Sequence, residues 1–179
     1  MNSRSKTDPE LLLYHGSAYH AEHLLRPGIH YTKSSVMWDE TESNEYLYFS
    51  PDVRDALLNA IAGWITKNGY LLDRFQYSVE KKTLRIECTD RLPTQRELNS
   101  GRIYCHTFRA RDIPGLQPVH NAHNGMEREF KTNKPVPLPN VAESFAVERV
   151  LLGYSVTIVR SVPSHESLES IMLRLQVIN

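Results

Sequence analysis

Cysteine is scarce in this chain of 179 residues, with Cys88 and Cys105 the only two. Two thiols so placed match no metal-ligand spacing and build no disulfide framework, so both are expected as reduced thiols near the core. Net charge is absent: Lys plus Arg and Asp plus Glu stand at 21 each. No overall field recruits a polyanion, which argues against a non-specific nucleic-acid binder, since such binding draws mainly on phosphate neutralisation. Long apolar runs are missing, and nothing approaches the roughly 18 residues of a membrane helix. The polar stretch Met1–Glu10 has no signal-peptide core, and Leu11-Leu12-Leu13-Tyr14 is too short to serve as one. A cytoplasmic protein with no membrane partner is expected. The phosphate-cradling patterns Gly-x-Gly-x-x-Gly and Gly-x-x-x-x-Gly-Lys are also absent. His15, His20 and His23, and later His120 and His123, come without a cysteine pair or matched carboxylate, so no metal is expected. A Cys-His nucleophile is disfavoured because Cys105 and His106 are neighbours on one strand and point to opposite faces.

What is present fits one domain, residues 10–179, behind a loose leader of residues 1–9; apolar residues at 40% can fill a core. Leu11–His15 reads as a strand ending at Gly16-Ser17, where glycine admits a close backbone approach. A short helix is predicted over Ala21–Leu25, stopped by Pro27-Gly28. Thr32–Glu45 is polar and loop-like, with Met37 and Trp38 its large apolar members. Tyr46-Leu47-Tyr48-Phe49 reads as a strand, and Ser50-Pro51 as a capped helix start. Ala56, Leu57, Ala60, Ile61 and Trp64 then recur at helical spacing, predicting a helix over 51–67 that Asn68-Gly69 ends. Further strands are expected at Phe75–Glu80, Thr83–Cys88, Arg102–Phe108, Arg128–Lys131 and Val147–Val159. A long loop spans Arg109–Met126, a length that in compact domains tends to accompany function. Leu168, Ile171, Met172 and Leu175 predict a closing helix over 164–175. Strands and helices mixed without regular alternation place the chain in the α+β class.

Three motifs in this order carry a resemblance. Tyr14-His15-Gly16-Ser17 closes the first strand and is followed by Arg26-Pro27-Gly28-Ile29. Tyr46-Leu47-Tyr48-Phe49-Ser50 opens an alanine-containing helix. Glu129-Phe130-Lys131-Thr132, with Pro135-Val136 after it, follows the strand Arg102–Phe108. The set resembles the ADP-ribosyltransferase superfamily, in its histidine–tyrosine–glutamate branch of diphtheria-toxin-like and poly(ADP-ribose) polymerase catalytic domains, and its small bacterial and phage relatives. The likeness covers about residues 11–160. Two positions depart from the pattern: Ala56 stands where the polymerases usually have a serine on the nicotinamide amide, and Asn59 near the place of a second tyrosine.

The resemblance implies a split β-sheet core, two small sheets forming an NAD cleft, with flanking helices. It implies NAD as substrate, with no metal. His15, Tyr48 and Glu129 would be catalytic, and His15, Gly16, Ser17, Tyr48 and Ser50 would bind NAD. Glu129 would stabilise the oxocarbenium-like charge that develops on the ribose as nicotinamide leaves, a role that is electrostatic and positional. To do so it must be ionised, although an apolar setting raises a carboxyl pKa. His15 would bond a ribose hydroxyl, Gly16 would hold the carboxamide through its backbone, and Tyr48 would stack on the nicotinamide ring. Glu127, two residues before Glu129 and on the same strand face, would recruit the acceptor.

The expected activity is mono-ADP-ribosyl transfer to an unidentified acceptor: a protein side chain, a nucleic acid or a small molecule. NAD glycohydrolysis uses the same site with water as acceptor. An RNA 2′-phosphotransferase is a more distant alternative, which Tyr48 disfavours. A catalytically inactive module that binds NAD or ADP-ribose is the non-enzyme alternative. Relatives of this size include toxins, phage effectors and antibiotic-modifying enzymes; a toxin would need a neutralising antitoxin protein, for which Met37 and Trp38 offer a docking surface.

Overall fold

The computed structural model describes residues 7–27, 46–119, 129–139 and 142–161. The first half runs β1 (Leu12–Ser17), β2 (Leu24–Leu25), β3 (Leu47–Phe49), α1 (Val53–Lys67), β4 (Leu72–Ser78) and β5 (Thr83–Cys88). The second half runs α2 (Gln95–Asn99), β6 (Arg102–Arg109), β7 (Gln117–Pro118), β8 (Phe130–Thr132), β9 (Val136–Pro137), β10 (Glu143–Ala146), α3 (Val147–Val150) and β11 (Ser155–Arg160). The fold is mixed α and β, made of small, mostly antiparallel sheets with few helices. The sheet orders are β1-β6-β10, β3-β8-β7 and β11-β5-β4, with β2 and β9 as a separate pair. β11 and β5 alone pair in parallel among the described strands.

Helix α1 is the element around which the rest is arranged. Asp52 caps it, its side chain accepting from the Arg54 amide at 2.9 Å, and Asn68 with the positive-φ Gly69 ends it. The capping carboxylate answers one of the free N–H groups at the helix start. Ala56, Leu58, Ile61 and Ile65 are buried on α1 and join Leu84, Ile86, Ile103 and Val147 in one core. A second core gathers Leu13, Leu25, Leu47, Phe49, Phe108 and Val136. Each large side chain so buried contributes about 1.5–3 kcal/mol. β1 serves both cores through its alternation: Leu13, His15 and Ser17 are buried on one face, while Tyr14 packs towards α1 on the other.

Several sequence expectations change here. Ala21–Leu25 is not helical: Leu24 and Leu25 pair with Pro137 and Val136, so Leu25 is buried by a strand contact that a five-residue helix could not supply. Asp52, not Ser50, is the cap, and Ser50 accepts from the Asp52 amide at 3.0 Å. Val147–Val159 is not one strand: Val147–Val150 is a helical turn that drops Val147 into the first core, and β11 begins only at Ser155. β10 and α2 go unread in the sequence. The closing helix over 164–175 and the loop carrying Met37 and Trp38 lie outside the described residues. Cys88 and Cys105 are free and buried, and burial pushes their thiols up to about 11 and about 12. No helix among the described residues is long and apolar enough to cross a membrane.

Candidate functional site

The site lies where β1 and β3 meet and separate. Tyr14 and Ser50 exchange both backbone hydrogen bonds, at 2.8 and 3.0 Å, as an isolated antiparallel bridge. In a continuing ladder, the next bonded pair would be Gly16 with Tyr48. The strands instead belong to different sheets, and the Tyr48 carbonyl accepts from the His15 ring, Nδ1 to O at 2.8 Å. An imidazole therefore lies beside the bridge that joins the two sheets. A carbonyl oxygen can only accept, so Nδ1 carries the proton and Nε2 the lone pair of the neutral ring. Burial lowers the His15 pKa, more than the bond to Tyr48 raises it.

His15 has a second histidine beside it. The β1–β6 register sets His106 directly across from it, and His106 is 2% exposed. Neither His106 ring nitrogen has a hydrogen-bond partner among the described residues. Burial first, then His15 and His20, push its pKa down to about 4. Phe49 lies 5.6 Å from the His15 ring, and Phe108 lies 6.3 Å from the His106 ring. The histidine side of the split is thus apolar and uncharged at neutral pH.

Beyond the Tyr14–Ser50 bridge stand two acids, Glu129 and Asp55. Phe49 is opposite Phe130, so the register carried one step further sets Ser50 opposite Glu129; the Glu129 carbonyl accepts from Val119 at 2.8 Å. Leu47 and Phe49 are buried in the second core and Phe130 packs against it, so alternation turns Tyr48, Ser50 and Glu129 to the other face. There Glu129 feels the charge of Asp55, from the first turn of α1, and itself acts on Tyr77, from β4. Burial, followed by the nearby Asp55 charge, pushes the Glu129 carboxyl up to about 7. Asp55 is raised as well, by burial and then by Asp52, while Arg54 and the Ser50 hydroxyl work the other way. The Tyr77 hydroxyl lies 3.4 Å from Asn59 Nδ2, and burial together with Asp55 and Glu129 drives its pKa far upward.

The sequence candidates fall into three groups. His15 bonds the Tyr48 backbone carbonyl, and Glu129 stands one register step beyond Phe130, opposite Ser50. Gly16 has a structural reason for lacking a side chain: a Cβ there would lie 1.8 Å from the Ala56 carbonyl oxygen, so the glycine lets α1 rest on β1. The serines are engaged locally, Ser17 accepting from Tyr19 N at 2.9 Å and Ser50 from Asp52 N. Glu127 lies outside the described residues, as do His120 and His123. His20 is not on a helix; its ring meets Tyr104 edge-on at 5.2 Å, and His23 is exposed. Asp55, Tyr77 and His106 are neighbours of these candidates that sequence reading passes over. Asp55 reads as an ordinary first-turn acid and Tyr77 as a strand aromatic. His106 sits in a readable strand, but only the register with β1 reveals its neighbour. Comparison with protein-family models, curated proteins and solved structures finds no match.

Proposed function

We propose that this chain is an ADP-ribosyltransferase-like enzyme that cleaves the nicotinamide–ribose bond of NAD and transfers ADP-ribose to an acceptor. The observation that carries this reading is the parting of β1 from β3 after one bridge, with the His15 imidazole on the Tyr48 carbonyl and Glu129 one register step beyond Phe130. The motifs that pointed to this chemistry in the sequence thus belong to strands that adjoin at one seam. In this reading His15, kept neutral with its lone pair on Nε2, accepts from a ribose hydroxyl. Tyr48 offers its ring to nicotinamide. Glu129 supplies the negative charge that the oxocarbenium-like transition state needs, from a half-buried position where electrostatic effects are less screened than in water.

The acceptor is tested through products. Wild-type protein incubated with NAD should release nicotinamide, and Glu129→Gln should lower that release by at least about a hundredfold, the scale on which lost transition-state electrostatics is felt. Modified protein, nucleic acid or small molecule identifies a transferase; free ADP-ribose as the sole product identifies a glycohydrolase. NAD bound without any nicotinamide release would identify a binding module and defeat the enzyme reading.

A further inference from the structure

The end of β1 leads into a turn that is pinned on three sides. Ser17, 1% exposed, accepts from the Tyr19 amide at 2.9 Å. His20 sets its ring edge-on against Tyr104 at 5.2 Å, and Tyr104 is opposite Ser17 in the β1–β6 register. From the last turn of α1, the Lys67 ammonium donates to the Ala18 carbonyl at 2.9 Å and stands over the Tyr19 ring at 4.3 Å. Both partners are neutral. Among the described residues no carboxylate pairs with Lys67, whereas Arg54, Arg85, Arg109 and Arg111 each have one. A carbonyl and an aromatic ring fix an ammonium in place without cancelling its charge, and the carbonyl takes one of its three N–H donors. A cation held this way is set to meet an anion with little further ordering.

We propose that Lys67 is a phosphate-binding residue, and that the group it takes is the diphosphate of a nucleotide. The inference rests on the NAD-cleaving reading, in which His15 meets a ribose hydroxyl. NAD carries its diphosphate on the 5′ carbon of that ribose, so the group lies beyond the sugar and needs a cation away from the residue that holds the sugar. Ala18 follows His15 by three residues, roughly 10 Å at strand spacing, which takes the contact past a single sugar. The diphosphate keeps its charge while the nicotinamide–ribose bond breaks. Lys67 therefore steadies the ground state and the transition state alike, and its contribution belongs to affinity, not to the bond-breaking step.

NMR titration of the full chain with ADP, and with adenosine as the probe that lacks phosphate, tests the contact apart from any turnover. Lys67→Gln should weaken ADP binding roughly tenfold, the scale of one lost charge-assisted hydrogen bond, and leave adenosine within about twofold. Lys67→Met, which keeps the apolar stem beside Tyr19 and loses the charge, should do the same and serves where the glutamine variant folds poorly. With NAD as substrate, KM should rise by the same factor while kcat stays within about twofold. ADP affinity unchanged in both variants overturns the proposal. An equal loss for adenosine also overturns it, since Lys67 would then only brace the turn, and so does a wild type that binds no ADP. Weakened ADP binding in a protein that never releases nicotinamide upholds the phosphate contact and sinks the proposed activity.

Discussion

The two regions on either side of the Tyr14–Ser50 bridge bury titratable groups in opposite ways. On the histidine side, burial holds His15 and His106 in their neutral forms, and the neutral form is the one the proposed chemistry uses. On the carboxyl side, burial and Asp55 also favour the neutral form of Glu129, but there the charged form is the working one. The histidine side is therefore at rest at neutral pH, whereas the carboxyl side is held against its own stability. Destabilised groups of this kind concentrate at functional positions, which is the physical reason to look for chemistry at Glu129 rather than at the histidines.

The comparison breaks most completely if the seam between the sides is disturbed. Gly16→Ala puts a methyl into the Ala56 carbonyl, and neither the β1 backbone nor the α1 backbone can give way cheaply. A loss of more than about 3 kcal/mol in unfolding free energy is expected. Denaturant unfolding measures it; a variant within 1 kcal/mol of wild type, on the scale of an ordinary surface change, would mean that helix and strand are not packed as described.

Removing the carboxyl charge sharpens the contrast. A folded-state pKa of about 7 against an ordinary 4.5 means that the folded protein holds a proton which the unfolded chain releases. The stability this lends is complete below pH 4.5 and is lost as pH rises through 7. Glu129→Gln should thus be more stable than wild type at pH 8, by on the order of 3 kcal/mol at most, with the advantage gone by pH 4. Thermal melts across that range check it, and an advantage independent of pH would contradict the assigned environment.

The histidine side should answer with the opposite sign and a smaller size. Folding keeps His106 neutral down to about pH 4, while the unfolded histidine protonates near 6.5, so stability is lost as pH falls between those values. His106→Leu removes the titration and leaves no polar atom without a partner. It should match wild type near pH 7.5 and exceed it by on the order of 1–2 kcal/mol at pH 4.5. Equal acid sensitivity in both proteins would assign the acid transition to other groups.

How much of this was legible in the sequence depends on how local each signal is. α1 could be read from Ala56, Leu57, Ala60 and Ile61 at helical spacing, and β5 from Thr83–Cys88, because propensity and periodicity agree there. The Ala21–Leu25 helix failed because its leucines are committed to a distant strand, β9, which outweighs the preference of so short a segment. α2 carries a local signal of its own, since Thr94 and Glu97 form a reciprocal capping box. Of the candidate residues, His15, Tyr48 and Glu129 stand in ordered strand motifs that a sequence displays. The residues that tune them do not, since Asp55, Tyr77 and His106 acquire their neighbours only through packing of α1, β4 and β6. Gly16 shows the same limit from the other side: its need for a missing side chain was visible, but the helix that imposes it was not.

The central claim is that Glu129 works as a buried carboxylate which must ionise to cleave NAD, and the pH profile of nicotinamide release between pH 5 and 9 tests it most directly. Release should rise with pH through a midpoint near 7 and be lower by at least about a hundredfold at every pH in Glu129→Gln. Release by the wild type that Glu129→Gln leaves unchanged would contradict it.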